Sequence, residues 1–504
     1  MTDHSILIPI LIQLTTALVL LFMWNRIHLQ RRASVIGNAI GLAYAIYLFQ
    51  KVYNQGILVT QGGGWEAPYG ITFAADLFSA SMILIASASG FAVSIFAAGS
   101  MSKRRSMFVF FPIFHFLLMG IIGSFLAGDL FNLYVWFELI IIASFGLITF
   151  GGGKRQLEGA LKYVTLNLLA SILFITGIAF LYGLTGTLNM ADLALKTAEV
   201  ENKNLLTITA LFFFVGLGIK TAVFPLYFWL PASYHTPLSA ISAIFGGLLT
   251  KVGVYTMLRI FSLFFLPDPF VSNVITVVAI FTLIAGAMGA MIQNDLRKLF
   301  SWLIVCHIGF MIAGLGMYTT IAIAGAVFYL FHDIIVKTNL FMISGLIHRI
   351  TGSFKLKKLG GFYAHYPSKT LLIAIPLFSL VGIPPLSGFW PKLLLINGGL
   401  DTESYWLIAS ILVASFITLF AIGKVWIEVF WKKGATVTPK KHFVTFGELR
   451  YIHKVGFVLP IAALGAISLF LAFGAGWVFT VSEQIARELM NPESYIEAIL
   501  NQNN

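Results

Sequence analysis

LFFFVGLGIKTAVFPLYFWLPASYHTPLSAISAIFGGLLTKVGVY, residues 211–255, places Lys220 late in one apolar run and Lys251 inside the next, with Pro225, Pro231 and Pro237 between them. An ammonium group in hydrocarbon costs about 2.5 kcal/mol or more, so such lysines face a protein interior or a water path. Proline removes an amide donor and clashes with the preceding turn, which breaks a helix. The stretch therefore reads as membrane helix, break, membrane helix, with a buried cation in each helix. Three more lysines lie inside apolar runs further on: Lys337, Lys392 and Lys424.

The whole chain supports that reading. Its 504 residues are 59% hydrophobic and only 10% charged, with mean hydropathy +0.91, too little polar surface to cover a soluble domain of this length. Many runs reach the ~20 residues that a helix needs to cross a bilayer. We expect an all-α polytopic membrane protein of about fourteen transmembrane helices. They fall near 5–24, 34–50, 72–98, 107–127, 128–150, 159–184, 205–229, 237–258, 271–292, 299–317, 320–347, 370–396, 404–430 and 456–480. The first run, Ile6 to Met23, is followed by basic residues rather than a small-residue cleavage site, so it reads as a helix and not a signal peptide. A single cysteine, Cys306, excludes an internal disulfide, a Cys-rich metal site and an iron–sulfur cluster held by this chain alone.

The net charge of +12 is explained by orientation. With the N-terminus outside, the inward connections carry 22 Lys and Arg, among them Arg26, Arg31, Arg32, Lys103, Arg104, Arg105, Arg297, Lys298, Lys440 and Lys441. The outward side carries 5: Lys51, Lys196, Lys203, Arg259 and Arg487. That bias places both termini outside the cell membrane and leaves nothing for nucleic-acid binding to explain. Four connections, about 51–71, 185–204, 348–369 and 431–455, are some twenty residues long; the last has room for a short interfacial helix. The acidic segment from Ser482 reads as a polar tail outside.

The prolines recur. Pro225, Pro231 and Pro237 follow Lys220 in helix 7, and Pro384, Pro385 and Pro391 precede Lys392 in helix 12. Broken helices at corresponding places in two halves point to a transport site between repeats. Five helices separate the two breaks, so helices 4–8 and 9–13 would be inverted repeats. The corresponding division is an N-terminal segment of residues 1–106, repeats at 107–258 and 271–430, and a final segment of residues 431–504.

Several residues carry candidate chemistry. Glu138 sits deep in LFNLYVWFELIIIASFGLI, where a carboxylate merely reaching the interface is the rival to one paired with Lys220. Lys251 is mid-helix, too far in to snorkel to the basic side. His332 and Lys337 lie five apart in VFYLFHDIIVKTNLF, suited to stepwise proton transfer. A metal site there fails, because the adjacent His332 and Asp333 cannot point the same way on a helix. Lys392 follows the break IPPLSGFWP, whose freed backbone groups need water or side chains. Lys424 is explained by an i,i+4 ion pair with Glu428. His235 either caps helix 8 or lines its mouth. Asp129 reads as a helix N-cap first and a proton-uptake residue second, and Asp76 as an outer-interface residue. Arg297 and Lys298 read as topology residues, and Cys306 and His307 as packing.

At GDLFNLYVWFE, the opening stretch continued to Tyr255, NDLRKLFSW, FHDIIVKTNLF and GIPPLSGFWPK, the chain resembles a known family. These are the antiporter-like membrane subunits shared by proton-pumping NADH:quinone oxidoreductase and the Mrp-type multisubunit cation/proton antiporters. The similarity spans roughly residues 70–430. Lys392 in place of a glutamate, the length, the VWFE wording and residues 161–194 look most like the D-type branch of the Mrp subunits. The resemblance implies two inverted five-helix repeats, a proton half-channel in each, and a central polar axis. It implies that Glu138 and Lys220 form a coupling pair, that Lys251, His332 and Lys337 form a relay, and that Lys392 exchanges with the other side. It implies the remaining Mrp subunits (A, B, C, E, F and G) as partners, protons and sodium as transported ions, and no cofactor or metal; no sodium site carries over to this chain. The competing functions are a pump subunit of a respiratory complex and a scaffold for other subunits. An enzyme is disfavoured, since the sequence has no nucleophile constellation, phosphate loop or redox ligand set.

Overall fold

The computed structural model describes residues 3–101, 109–433 and 446–500. Lys103, Arg104, Arg105, Lys440, Lys441 and the centre of the connection with room for an interfacial helix lie outside the described residues. The chain runs α1 Ile8–Phe22, α2 Ile27–Gln55, β1 Leu58–Gly62, β2 Ile71–Ala75, α3 Leu77–Ser100, α4 Phe110–Leu126, α5 Leu130–Ile148 and α6 Lys154–Thr185. It continues through α7 Met190–Glu199, α8 Lys203–Thr221, α9 Trp229–Ser233, α10 Ser239–Phe265, α11 Pro269–Ile292, α12 Leu296–Met317 and α13 Thr320–Thr351. The last elements are α14 Pro367–Val381, α15 Phe389–Asp401, α16 Tyr405–Trp431, α17 Tyr451–Phe473, α18 Ala475–Met490 and α19 Glu493–Leu500. Among the described residues twelve helices are long and apolar enough to cross a membrane, and α4 and α14 are shorter apolar helices. Each of the fourteen expected segments is represented.

Helix starts follow local chemistry. Asp76, Asp129, Asn189, Asn202, Asp268, Asp295 and Thr319 each accept a hydrogen bond from a backbone N–H two or three residues ahead. This satisfies amides that a helix leaves unpaired at its N-terminus. The two breaks end their helices alike. Ala222 (φ +66°) and Gly382 (φ +83°) take left-handed conformations, and the next amide reaches back five residues, Val223 N to Gly218 O and Ile383 N to Phe378 O. That is a Schellman-type ending. Glycine adopts the conformation freely, whereas Ala222 does so at a cost of about 1–2 kcal/mol.

Helices α10, α12 and α13 form the centre, with α10 buried along its whole length. α3 and α17 cross at glycines. A Cβ on Gly99 would lie 2.8 Å from the Gly456 Cα, and His453 Nδ1 meets the Gly99 carbonyl at 3.1 Å. In a bilayer, small residues of this kind allow the close backbone approach that holds helices together.

Two expectations change and two gain detail. Arg259 is not an outward-loop residue: it lies in α10, is 6% exposed, and pairs with Asp76 at 2.5 Å among the rings of Phe78, Tyr255 and Tyr495. Asp76 is correspondingly buried as well as capping α3. The segment from Ser482 is not a polar tail but belongs to α18 and then α19, with Ile485, Leu489, Tyr495 and Ile499 buried. Two long connections contain structure: an antiparallel hairpin pairing Thr60 with Phe73, and helix α7. We expect Gly99→Val to force α3 and α17 apart and to cost about 1–3 kcal/mol, measured as a lowered melting temperature of the purified protein in detergent.

Candidate functional site

The buried ionisable groups form a row through the centre. On the first side, Lys220, 8% exposed in the last turn of α8, donates to Ser171 Oγ at 3.2 Å and sits 4.8 Å from the centre of the Phe137 ring. Glu138 follows Phe137 on α5, and its Oε1 is buried without a hydrogen-bond partner among the described residues. Among the described residues no direct ion pair joins it to Lys220, whose ammonium is turned to Ser171. A cavity of about 30 Å³ adjoins Lys220, lined by Tyr163, Asn167, Tyr234 and residues of α10 including Val252 and Gly253. That is room for a water, and the site is polar enough to hold one.

The centre is an acid between bases. Lys251 on α10 pairs with Asp333 Oδ2 on α13 at 2.7 Å and donates to the Gly246 carbonyl at 2.7 Å. His307 on α12 donates from Nδ1 to Asp333 Oδ1 at 2.6 Å. All three side chains are fully buried. The geometry depends on the sequence GG in a widened π turn over Phe245–Leu249. A Cβ on Gly247 would fall 1.9 Å from Thr338 Oγ1, and one on Gly246 would strike the Phe341 ring, so only glycine lets α10 approach α13 this closely. Lys337, one turn beyond Asp333, is fully buried, and its Nζ has no hydrogen-bond partner among the described residues.

On the far side, Lys392 on α15 donates to the Val381 carbonyl at 2.8 Å and lies 4.8 Å from the Phe310 ring centre. It thus satisfies a carbonyl at the open end of α14, as a cation near a helix C-terminus does. His332 contacts Ser387 Oγ, in the break between α14 and α15, through Nδ1 at 2.9 Å. Tyr329 stands between the two imidazoles, edge-on to His307 at 5.3 Å and to His332 at 5.6 Å.

Glu138, Lys220, Lys251, His332, Lys337 and Lys392 are therefore all placed in or beside this row. The accessory candidates are peripheral. Asp129 caps α5 through Asn132 N at 2.9 Å, and His235 Nδ1 donates to the Pro231 carbonyl at 2.8 Å. Arg297 does more than set topology: it donates to the Pro237 carbonyl at 2.7 Å. Lys424 departs from its expected pairing. It donates to the Gln293 carbonyl at 2.9 Å, while Glu428 pairs with Lys432 at 2.9 Å. Two residues of the row escape the sequence reading. Asp333 carries the signal of a carboxylate deep in an apolar run, masked by the adjacent His332, which suggests a ligand pair. His307 reads as packing because no recognisable spacing surrounds it, whereas from the middle of α12 it reaches the carboxylate of Asp333. No group of three or more His, Cys, Asp or Glu able to hold a metal occurs among the described residues.

Asp333→Ala leaves Lys251 buried without its counter-charge, which costs about 3–5 kcal/mol. Asp333→Ala combined with Lys251→Met removes both charges and is expected to recover much of the melting temperature lost by the single variant in detergent.

Residues 127–418 match the family described as NADH:quinone oxidoreductase/Mrp antiporter, TM. The D subunit of the Na(+)/H(+) antiporter of Alkalihalophilus pseudofirmus is 43% identical over 500 residues, covering 99% of each chain. That of Bacillus subtilis is 39% identical over 499 residues, with the same coverage. A chain in the structure of the Mrp complex from Dietzia sp. DQ12-45-1b superimposes with a TM-score of 0.90 at 28% identity, covering 99% of this chain and 100% of that one.

Proposed function

The chain belongs to the NADH:quinone oxidoreductase/Mrp antiporter family, and from that premise we propose that it is the D-type, proton-carrying subunit of a multisubunit Na+/H+ antiporter. One observation carries this reading: Lys220, Lys251, Lys337 and Lys392 are each at most 8% exposed, and Lys251 is paired with the buried carboxylate of Asp333. So many buried cations raise the cost of folding and are retained where charge must move.

Protons enter the row at Lys220, where Glu138 supplies the field that holds or releases them. They pass by way of the cavity at Tyr163 and Tyr234 to Lys251, which shares Asp333 with His307. Lys337 and His332 carry them onward to Lys392 at the second break, which exchanges with the opposite side. Because a proton on Lys251 repels one on Lys337 across Asp333, occupancy of one site favours emptying the other. This proton movement is coupled to sodium efflux across the assembled complex, with the other Mrp subunits as partners.

The same reading assigns the chain to the plasma membrane with both termini outside, and residues 107–258 and 271–430 to the two inverted repeats. The matching Schellman-type endings at Ala222 and Gly382 support that division. The subunit performs transport and no covalent chemistry.

In proteoliposomes holding the complete complex, Lys220→Ala should abolish sodium-dependent proton flux while the complex still assembles. An assembled Lys220→Ala complex that exchanges at the normal rate would reject the proposal. Lys424→Met, which removes only a donor to the end of α11, should retain most of the flux.

A further inference from the structure

A chain of hydroxyls leaves the row at His332. Its Nδ1 lies 2.9 Å from Ser387 Oγ, Ser387 Oγ lies 3.1 Å from Ser468 Oγ, and Ser468 donates to Ser379 Oγ at 3.3 Å. His332, Ser387 and Ser379 are fully buried, and Ser468 is 1% exposed. Ser379 lies near the end of α14 and Ser387 in the break, whereas Ser468 comes from α17, outside both repeats.

A serine hydroxyl has one proton to donate. Ser468 spends its own on Ser379, so Ser387 must be the donor in its contact with Ser468. Ser387 then has no proton left for the imidazole, and His332 Nδ1 must be the donor to Ser387. The order of donors fixes one tautomer of neutral His332, with the proton on Nδ1 and the lone pair on Nε2. Nε2 is buried without a hydrogen-bond partner among the described residues. It faces the backbone of Gly388, where a Cβ would lie 3.0 Å away.

We propose that Ser387, Ser468 and Ser379 form a one-directional hydroxyl chain that fixes the tautomer of His332, so that this imidazole takes up and returns protons through Nε2 alone. The hydrogen bond on one ring nitrogen decides what the other can do. The inference rests on the proton-carrying role of His332 proposed above. In the step itself, a proton arriving on Nε2 gives the imidazolium, Nδ1–H stays on Ser387, and the proton that leaves departs from Nε2. His332 is thus a station of the relay that receives and passes its proton through one nitrogen, and Ser468 is its positioning residue.

The test uses the complete complex in proteoliposomes, with sodium-dependent proton flux recorded across a pH series. Ser468→Ala should lower flux severalfold and displace its pH profile, because either tautomer becomes available, and Ser468→Thr, which keeps the hydroxyl, should restore both. In a His332→Ala background, Ser468→Ala should cause no further change, since the two act as one unit. Wild-type flux and pH profile in Ser468→Ala would overturn the proposal. So would an equal loss in the His332→Ala background, which would mark Ser468 as a packing residue. If His332→Ala alone exchanges normally, it is the role of His332 that fails, a result distinct from either outcome at Ser468.

Discussion

The fully buried pair of Lys251 and Asp333 is the constraint around which the rest of the molecule is arranged. Taking two charges out of water costs several kcal/mol each, returned only by close geometry and further hydrogen bonds. Both are supplied. The Gly246 carbonyl and the His307 imidazole complete the pair, and Gly246 and Gly247 remove the side chains that would hold α10 away from α13. Three helices, α10, α12 and α13, are thereby locked in register by one carboxylate. These helices come from both halves of the proposed duplication, so the ion pair is also the seam between them.

Each end of the row depends on a broken helix, and the two ends use it differently. Lys220 precedes its break and lies against a serine hydroxyl and an aromatic ring. Lys392 follows its break and turns back onto the carbonyl of Val381. In both, the proline-interrupted segment supplies polar backbone where an intact helix would offer none, an arrangement tolerated at membrane depth because protein surrounds it. The backbone ending is repeated, and the lysine is not.

The fold is largely legible in the sequence because hydrocarbon imposes a simple rule. Twenty-residue apolar runs and the placement of arginine and lysine mark the helices, and the proline clusters mark the breaks. Lys220, Lys251, Lys337 and Lys392 stand out because a cation in an apolar run has no bland explanation. Asp333 and His307 are harder, since a carboxylate beside a histidine suggests a ligand pair, and only the packing of α12 on α13 reveals the partner. Arg259 reads as a loop residue because its helix extends to Phe265, past the expected end at 258. The acidic C-terminal segment looks polar by composition, yet its apolar residues recur with helical spacing and are buried. Long-range contacts of this kind leave no trace in a local window.

The second break is tied to the C-terminal region of the molecule. Trp390 donates to the Ala472 carbonyl at 3.0 Å, and Ser468 bridges the hydroxyls of Ser387 and Ser379. During synthesis, α14 and α15 emerge well before α17, so for that interval their polar atoms lack these partners. Maturation of the second break therefore waits on nearly the whole polypeptide. A prematurely terminated product could thread its earlier helices into the bilayer without ever finishing the wiring, which gives quality control in the membrane a concrete defect to recognise.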